Sequence, residues 1–173
     1  MKNSATSVLK FIRIFIWFNL IISIVAIIKI LHLVATISFF PEYIPLNDKS
    51  DLYKINQVNK ELFYLVAFLY VIYNSILSLF LITSIKLCRR INLNEKFNAR
   101  VLLILKKITK LSFYIALLDI IIFFVTEIII NNALSLNLTV TGSGFLLLSA
   151  ILYIVTHIYQ QGVDLKEEND LTI

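Results

Sequence analysis

Residues 108–130 read ITKLSFYIALLDIIIFFVTEIII, with charge only at Lys110, Asp119 and Glu127. A helix needs about 20 apolar residues, at about 1.5 Å each, to cross the hydrocarbon of a bilayer. This stretch is long enough. Three more of the same character occur at 14–38, 62–85 and 138–160, and the four fill most of the 173 residues. Only three Gly and two Pro are present, so little interrupts long helices. A membrane β-barrel needs short strands of alternating polarity between turn residues, and the chain shows neither. Internally hydrogen-bonded helices are the remaining way to carry a backbone through lipid. The expected fold is all-α: one domain, 1–173, forming an integral membrane four-helix bundle with antiparallel spans.

Composition points the same way. The chain is 59% hydrophobic and 16% charged, against about 45–50% and about 25% in soluble domains. No connection is long enough to bury a core of its own. Lys2, Lys10 and Arg13 precede the first apolar run as in a signal peptide. That run is longer than an h-region of about 7–15 residues and has no A-x-A site, so it reads as a retained span. A single cysteine, Cys88, excludes an intramolecular disulfide and a multi-cysteine metal site. It reads as a bystander at a helix end. Asn137-Leu138-Thr139 fits a glycosylation sequon, but Ile-, Asn- and Lys-heavy usage has a bacterial look that leaves the sequon without consequence. The expected location is the bacterial cytoplasmic (inner) membrane, crossed several times, with the lipid bilayer as the first partner.

Charge sets the orientation, because basic residues collect in cytoplasmic segments. The amino-terminal tail carries Lys2, Lys10 and Arg13, and the first connection Lys49, Lys54 and Lys60. The second carries Lys86, Arg89, Arg90, Lys96, Arg100, Lys106, Lys107 and Lys110 against Glu95 alone. The third has no Lys or Arg, and the final tail has Lys166. With both termini cytoplasmic, twelve basic residues lie inside and three outside. The second connection also has a helical pattern. On a wheel over 96–110, Lys96, Arg100, Lys106, Lys107 and Lys110 fall within about 120°, with Val101, Leu102, Ile104, Leu105 and Ile108 opposite. A basic amphipathic helix is expected there, running into the third span, with Asn94 or Asn98 as its cap. It holds the loop inside and touches anionic headgroups. Its charge lies against the membrane surface, so no direct nucleic-acid partner is expected.

Each span carries a stripe of small or polar residues at helical spacing. The stripes are Asn19, Ser23 and Ala26; Ala67, Asn74 and Ser78; Ser112, Ala116, Asp119 and Thr126; and Gly142, Ser149, Tyr153, Thr156 and Gln160. Helix contacts in lipid are made by such residues, since apolar bulk gives no preference for protein over lipid. These faces are expected to point inward. Ionisable residues at depth are candidates for function. Asp119 lies about 13 Å along a helix from Lys110, near mid-bilayer. By depth its neighbours are Asn74, Ser75, Ser78, Ser149 and Tyr153. The group reads either as a hydrogen-bonded structural acid or as a proton-coupling centre. Lys29 and Glu127 reach equal depth near the outer boundary, which permits an ion pair between first and third spans. Snorkelling of each to the headgroups is the alternative. His32 and His157 sit near opposite leaflets and make no metal site.

No nucleophile–base–acid set, phosphate loop or H-E-x-x-H pattern is present. Gly142-Ser143-Gly144 reads as a flexible start to the fourth span. Neither enzymatic activity nor a cofactor is expected.

The end of the chain is acidic and specific: Gly162-Val163-Asp164-Leu165-Lys166-Glu167-Glu168-Asn169-Asp170-Leu171-Thr172-Ile173. Upstream, Lys96-Phe97-Asn98 leads into Leu105-Lys106-Lys107-Ile108. Together these resemble the "domain of unknown function 2975" family of small four-span bacterial membrane proteins. Members commonly have Phe then Asn at the start of a basic helix, and a Gly-x-x-Leu-x-x-Glu-x-Asp-Leu-Thr-Val/Ile ending. Gly162, Leu165, Glu168, Asp170, Leu171, Thr172 and Ile173 sit on that pattern, while the usual Pro before the Phe is Lys96 here. The resemblance implies companionship with a small cytosolic helix-turn-helix transcription regulator, and so a membrane-linked regulatory or sensory role. An acidic tail ending in a β-prone Leu-Thr-Ile suits capture by a cytosolic partner, including its free carboxylate. It also suits a solvated stop sequence. The interaction candidates are Lys96, Arg100, Lys107, Glu168, Asp170, Leu171, Thr172 and Ile173. Two other classes stay open: a small proton-coupled transporter centred on Asp119, and an immunity or envelope-protection protein. Oligomeric state is not legible.

Overall fold

The computed structural model describes residues 2–39, 51–90, 97–131 and 140–171. They form five helices: α1 (Lys2–Phe39), α2 (Asp51–Val58), α3 (Lys60–Arg90), α4 (Ala99–Asn131) and α5 (Val140–Leu171). The long ones have 38, 31, 33 and 32 residues. At about 1.5 Å per residue each exceeds the roughly 30 Å of bilayer hydrocarbon and extends into the headgroup zone or beyond. Four segments are long and apolar enough to cross a membrane: Ser7–Phe39, Lys60–Arg90, Ala99–Ile128 and Gly144–Asn169. Phe15, Phe18, Ile28, Phe68, Leu103 and Leu147 are each more than half exposed. Apolar exposure spread over every long helix is untenable in water and is what a lipid-facing surface requires. The all-α reading and the four spans stand.

The helices pack in a row. α1 lies on α3, α3 on α4 and α4 on α5, with α2 set against α3 and α4. Among the described residues α1 and α5 are the edges of the row and do not approach each other's backbone. The apolar core is divided accordingly. One cluster joins Ile37, Ile55, Phe63 and Val66, with Val34, Leu52 and Val125 packed around it. A second joins Leu20, Leu81 and Ile85 at the other end of the α1–α3 contact.

Helix α2 falls inside the stretch read from sequence as an open connection. Leu52 and Ile55, three apart, face one way, and Ile55 is fully buried against Phe63 and Val66. Asn59 separates α2 from α3. Its N–H donates to Ile55 O at 2.9 Å, and its side-chain oxygen accepts from the backbone of Glu61 and Leu62 at 2.9 and 3.2 Å. That is an N-cap for α3.

The basic helix and the third span are one helix, α4. Asn98 is its cap: Oδ1 accepts from Arg100 N–H at 2.9 Å, and its carbonyl from Val101 and Leu102 at 3.0 and 3.1 Å. Asn94 and Lys96 lie outside the described residues. Val101, Leu102, Leu105 and Ile108 are buried while Arg100, Lys106, Lys107 and Lys110 are exposed, as the wheel predicts.

Helix α5 departs from expectation at both ends. Gly142-Ser143-Gly144 lies in its first turn rather than in a flexible start. At the other end the helix does not stop near 160 but runs unbroken to Leu171. The segment read as an acidic, partly β-prone tail is therefore helical through Leu171, while Thr172 and Ile173 lie outside the described residues. The cause is local. Leu165, Lys166, Glu167 and Glu168 are strong helix formers, and extending an existing helix needs no new nucleus.

Candidate functional site

Members of each polar stripe lie in the seams of the row. Between α1 and α3, the Ser23 hydroxyl donates to Asn74 O at 3.1 Å and its oxygen lies 3.0 Å from Ser78 Oγ. Further along the same seam Ser38 Oγ is 3.0 Å from the Tyr64 hydroxyl. Between α4 and α5, Thr109 Oγ1 lies 3.0 Å from Thr156 Oγ1. Ala67, Ser112 and Ala116, from the stripes of α3 and α4, are also buried. Thr109 and Tyr64 were not singled out in the sequence. Each carries a hydroxyl at the margin of a span, where exposure to headgroups is the simpler expectation.

Depth alone grouped Asp119 with Asn74, Ser78, Ser149 and Tyr153. The structure distributes them over different seams. Asn74 and Ser78 turn to α1, and the Asn74 amide donates to Tyr70 O at 2.9 Å. Ser149 stays within α5, donating to Leu146 O at 2.7 Å. Tyr153 is 67% exposed. With Ser149, Thr109, Lys110 and Tyr114 it lines a lateral groove of about 670 Å³ between α4 and α5. Asp119 instead has the Tyr73 side chain of α3 within electrostatic reach. Its Oδ2 is buried with no hydrogen-bond partner among the described residues, as is Ser112 Oγ two turns earlier on α4. Lys29 is exposed on α1 and Glu127 half-buried on α4, and those two helices do not pack on each other.

The more developed arrangement lies where α4 begins and α5 leaves the apolar zone. The Phe97 ring meets the Tyr159 ring edge-on, with centroids 5.4 Å apart and planes at 64°. The next residue, Asn98, donates its backbone N–H to the Tyr159 hydroxyl at 2.9 Å. Lys166 Nζ donates to Phe97 O at 3.4 Å. Gly162 lies directly under the Phe97 ring, and a Cβ at that position would run into the ring carbons. A cavity of about 440 Å³ opens beside it, lined by Phe97, Gly162, Leu165, Lys166 and Asn169. The Phe-Asn motif and the glycine that starts the terminal motif are thus two sides of one contact. Tyr159, which joins them, carries no signal of its own in the sequence beyond standing one turn before Gly162.

Of the interaction candidates, Arg100 and Lys107 are exposed near the start of α4, and Glu168 is exposed on α5. Asp170 and Leu171 belong to the last turn of α5.

A family model described as "Protein of unknown function (DUF2975)" matches residues 50–173, from just before α2 to the end of the chain. The chain belongs to this family. No curated protein and no solved structure matches it. The family region contains both sides of the Phe97–Gly162 contact, whereas α1, one edge of the row, precedes it.

Proposed function

We propose that the protein is a non-catalytic regulatory or sensory membrane protein that uses no cofactor. In this reading both termini are cytoplasmic, the spans are antiparallel, and the membrane is the bacterial cytoplasmic membrane. Its cytosolic partner is a helix-turn-helix transcription regulator. Antiparallel packing is supported by contacts whose positions run in opposite directions along neighbouring helices: Phe97 with Tyr159 and Thr109 with Thr156 on one seam, Leu20 with Leu81 and Ser38 with Tyr64 on another. The orientation rests on the twelve-to-three division of basic residues.

The observation that carries the regulatory reading is the junction at Phe97. It ties the start of α4 to a helix that continues past the apolar zone, bearing Asp164, Glu167 and Glu168 on an exposed surface. A change in how α4 and α5 pack thus reaches a charged cytosolic helix. The test is co-purification of the regulator with full-length protein from mild detergent. Glu168→Ala with Asp170→Ala, or deletion of 171–173, is expected to abolish capture and leave membrane abundance unchanged. A truncated protein that still captures the regulator refutes the reading. For the topology, cysteines placed at Asn47 and Ser135 in a Cys88→Ser background label from outside, and one at Asn169 only from inside.

A second reading has one observation in its favour: the buried Oδ2 of Asp119, facing α3 with no hydrogen-bond partner among the described residues. A small proton-coupled carrier would use such a group. Its mark is loss of proton-linked activity in Asp119→Asn with the fold retained.

A further inference from the structure

A second cavity, of about 500 Å³, lies between the last turns of α3 and the first turns of α4. Its lining is Lys86, Arg89, Arg90 and Arg100, with Leu103 and Ile104. Four cationic side chains, all exposed, line this one open space, and no acidic side chain among the described residues lines it. Helix α1 adds to the charge at this end, since Arg13 is within electrostatic reach of Cys88, next to Arg89.

Part of this has an ordinary cause. Arg89 and Arg90 stand in the last turn of α3, where cations are favoured by the helix dipole. That does not account for Arg100, which comes from the opposite pole of another helix, where a cation is disfavoured. Bringing it to the same cavity raises like-charge repulsion, and an anion relieves it. Arginine is well suited to the task because its planar fork binds phosphate oxygens in pairs.

The apolar part of the lining narrows the choice of anion. Leu103 is 68% exposed, and Ile104 beside it completes the wall. A free inorganic anion gains nothing from them. A phospholipid gains twice, from phosphate against the cations and from acyl carbon against the aliphatic wall. The site also lies where α3 passes from Ile85 into Lys86 and where α4 begins its apolar run at Val101, which is headgroup level in a spanning orientation.

We propose that this cavity is a binding site for the phosphate headgroup of an anionic phospholipid, held by Arg89, Arg90, Arg100 and Lys86, with the first acyl carbons on Leu103 and Ile104. The site is separate from the Phe97 junction and does not depend on a regulatory role. It differs from diffuse attraction to the membrane in one testable respect. Charges in the cavity count for more than equal charges elsewhere on α4.

The experiment is native mass spectrometry of the full chain released from detergent, titrated with phosphatidylglycerol, and with phosphatidylcholine as the neutral control. Arg89→Gln with Arg100→Gln is compared with Lys106→Gln with Lys107→Gln, which removes the same charge from positions of α4 that do not line the cavity. The cavity pair is expected to weaken phosphatidylglycerol binding by about tenfold or more, and the surface pair by clearly less. Leu103→Asn is expected to weaken the lipid severalfold and leave inorganic phosphate unaffected. Circular dichroism and elution volume check that each variant is folded. Equal losses in the two charge pairs overturn the site in favour of diffuse charge. Equal binding of the two lipids overturns it outright. Full competition by millimolar phosphate, with no effect of Leu103→Asn, overturns the lipid and leaves a free-anion site.

Discussion

Replacing Gly162 by alanine tests the contact that joins α5 to the start of α4. In an open helix the change stabilises by about 0.8–1.0 kcal/mol. Here the new methyl group would occupy the space of the Phe97 ring. Turning the ring aside gives up its packing on Tyr159 and strains the chain that continues into the cap of α4. Overpacking of this kind costs about 1–3 kcal/mol. Loosening the ring pair adds about 0.5–1.5 kcal/mol, and the Asn98–Tyr159 hydrogen bond about 1 kcal/mol if it breaks. The expected net loss for Gly162→Ala is about 1–3 kcal/mol. In a Phe97→Ala background the obstacle is gone, and the same change is expected to stabilise by up to about 1 kcal/mol. The sign reversal, read as a coupling of about 2–4 kcal/mol in a double-mutant cycle, is measured by reversible unfolding in mixed micelles. If Gly162→Ala has the same effect in both backgrounds, or stabilises the native protein, the close approach is not what the glycine serves.

Other outcomes follow from the seams and from α2. Ser23→Ala removes the link from α1 to Asn74 and Ser78 and is expected to cost about 0.6 kcal/mol, up to about 1.7, in the same unfolding assay. Asp119→Asn is expected to be tolerated if the acid is structural, since an amide still donates and accepts. Asp119→Leu, which can do neither, then separates a structural polar group from a dispensable one by its yield and melting temperature. Ile55→Ala empties a fully buried position and is expected to cost about 2–5 kcal/mol, with α2 cut by protease faster than α3.

The four spans were legible because length and apolar content decide them, and both are local. So was the division of α4 into a basic and an apolar face, since 3.6-residue periodicity is also local. The neighbours of Asp119 were not. Depth along a helix can be counted, but it says nothing about which helix lies alongside, and the row order turns Asn74 and Ser78 to α1 instead. Helix α2 was missed because eight residues give little periodicity, and Ile55 declares itself only against Phe63 and Val66 from another element. The tail was misread in form because acidic residues suggest solvation, whereas a helix already formed in the membrane extends into water at little cost. The two halves of the Phe97 contact were each visible as motifs, and nothing in the spacing joined them.

The unbroken course of α5 makes its C-terminal end a lever. From Tyr159, where the helix is held by Phe97 and Asn98, to Leu171 is about 18 Å of rigid rod. A tilt of about 10° at that fulcrum sweeps the far end through about 3 Å. A displacement of that size is enough to break or make a hydrogen bond. A change of packing around Ser149 and Thr156 can thus be felt at Glu168 without any part of α5 unfolding.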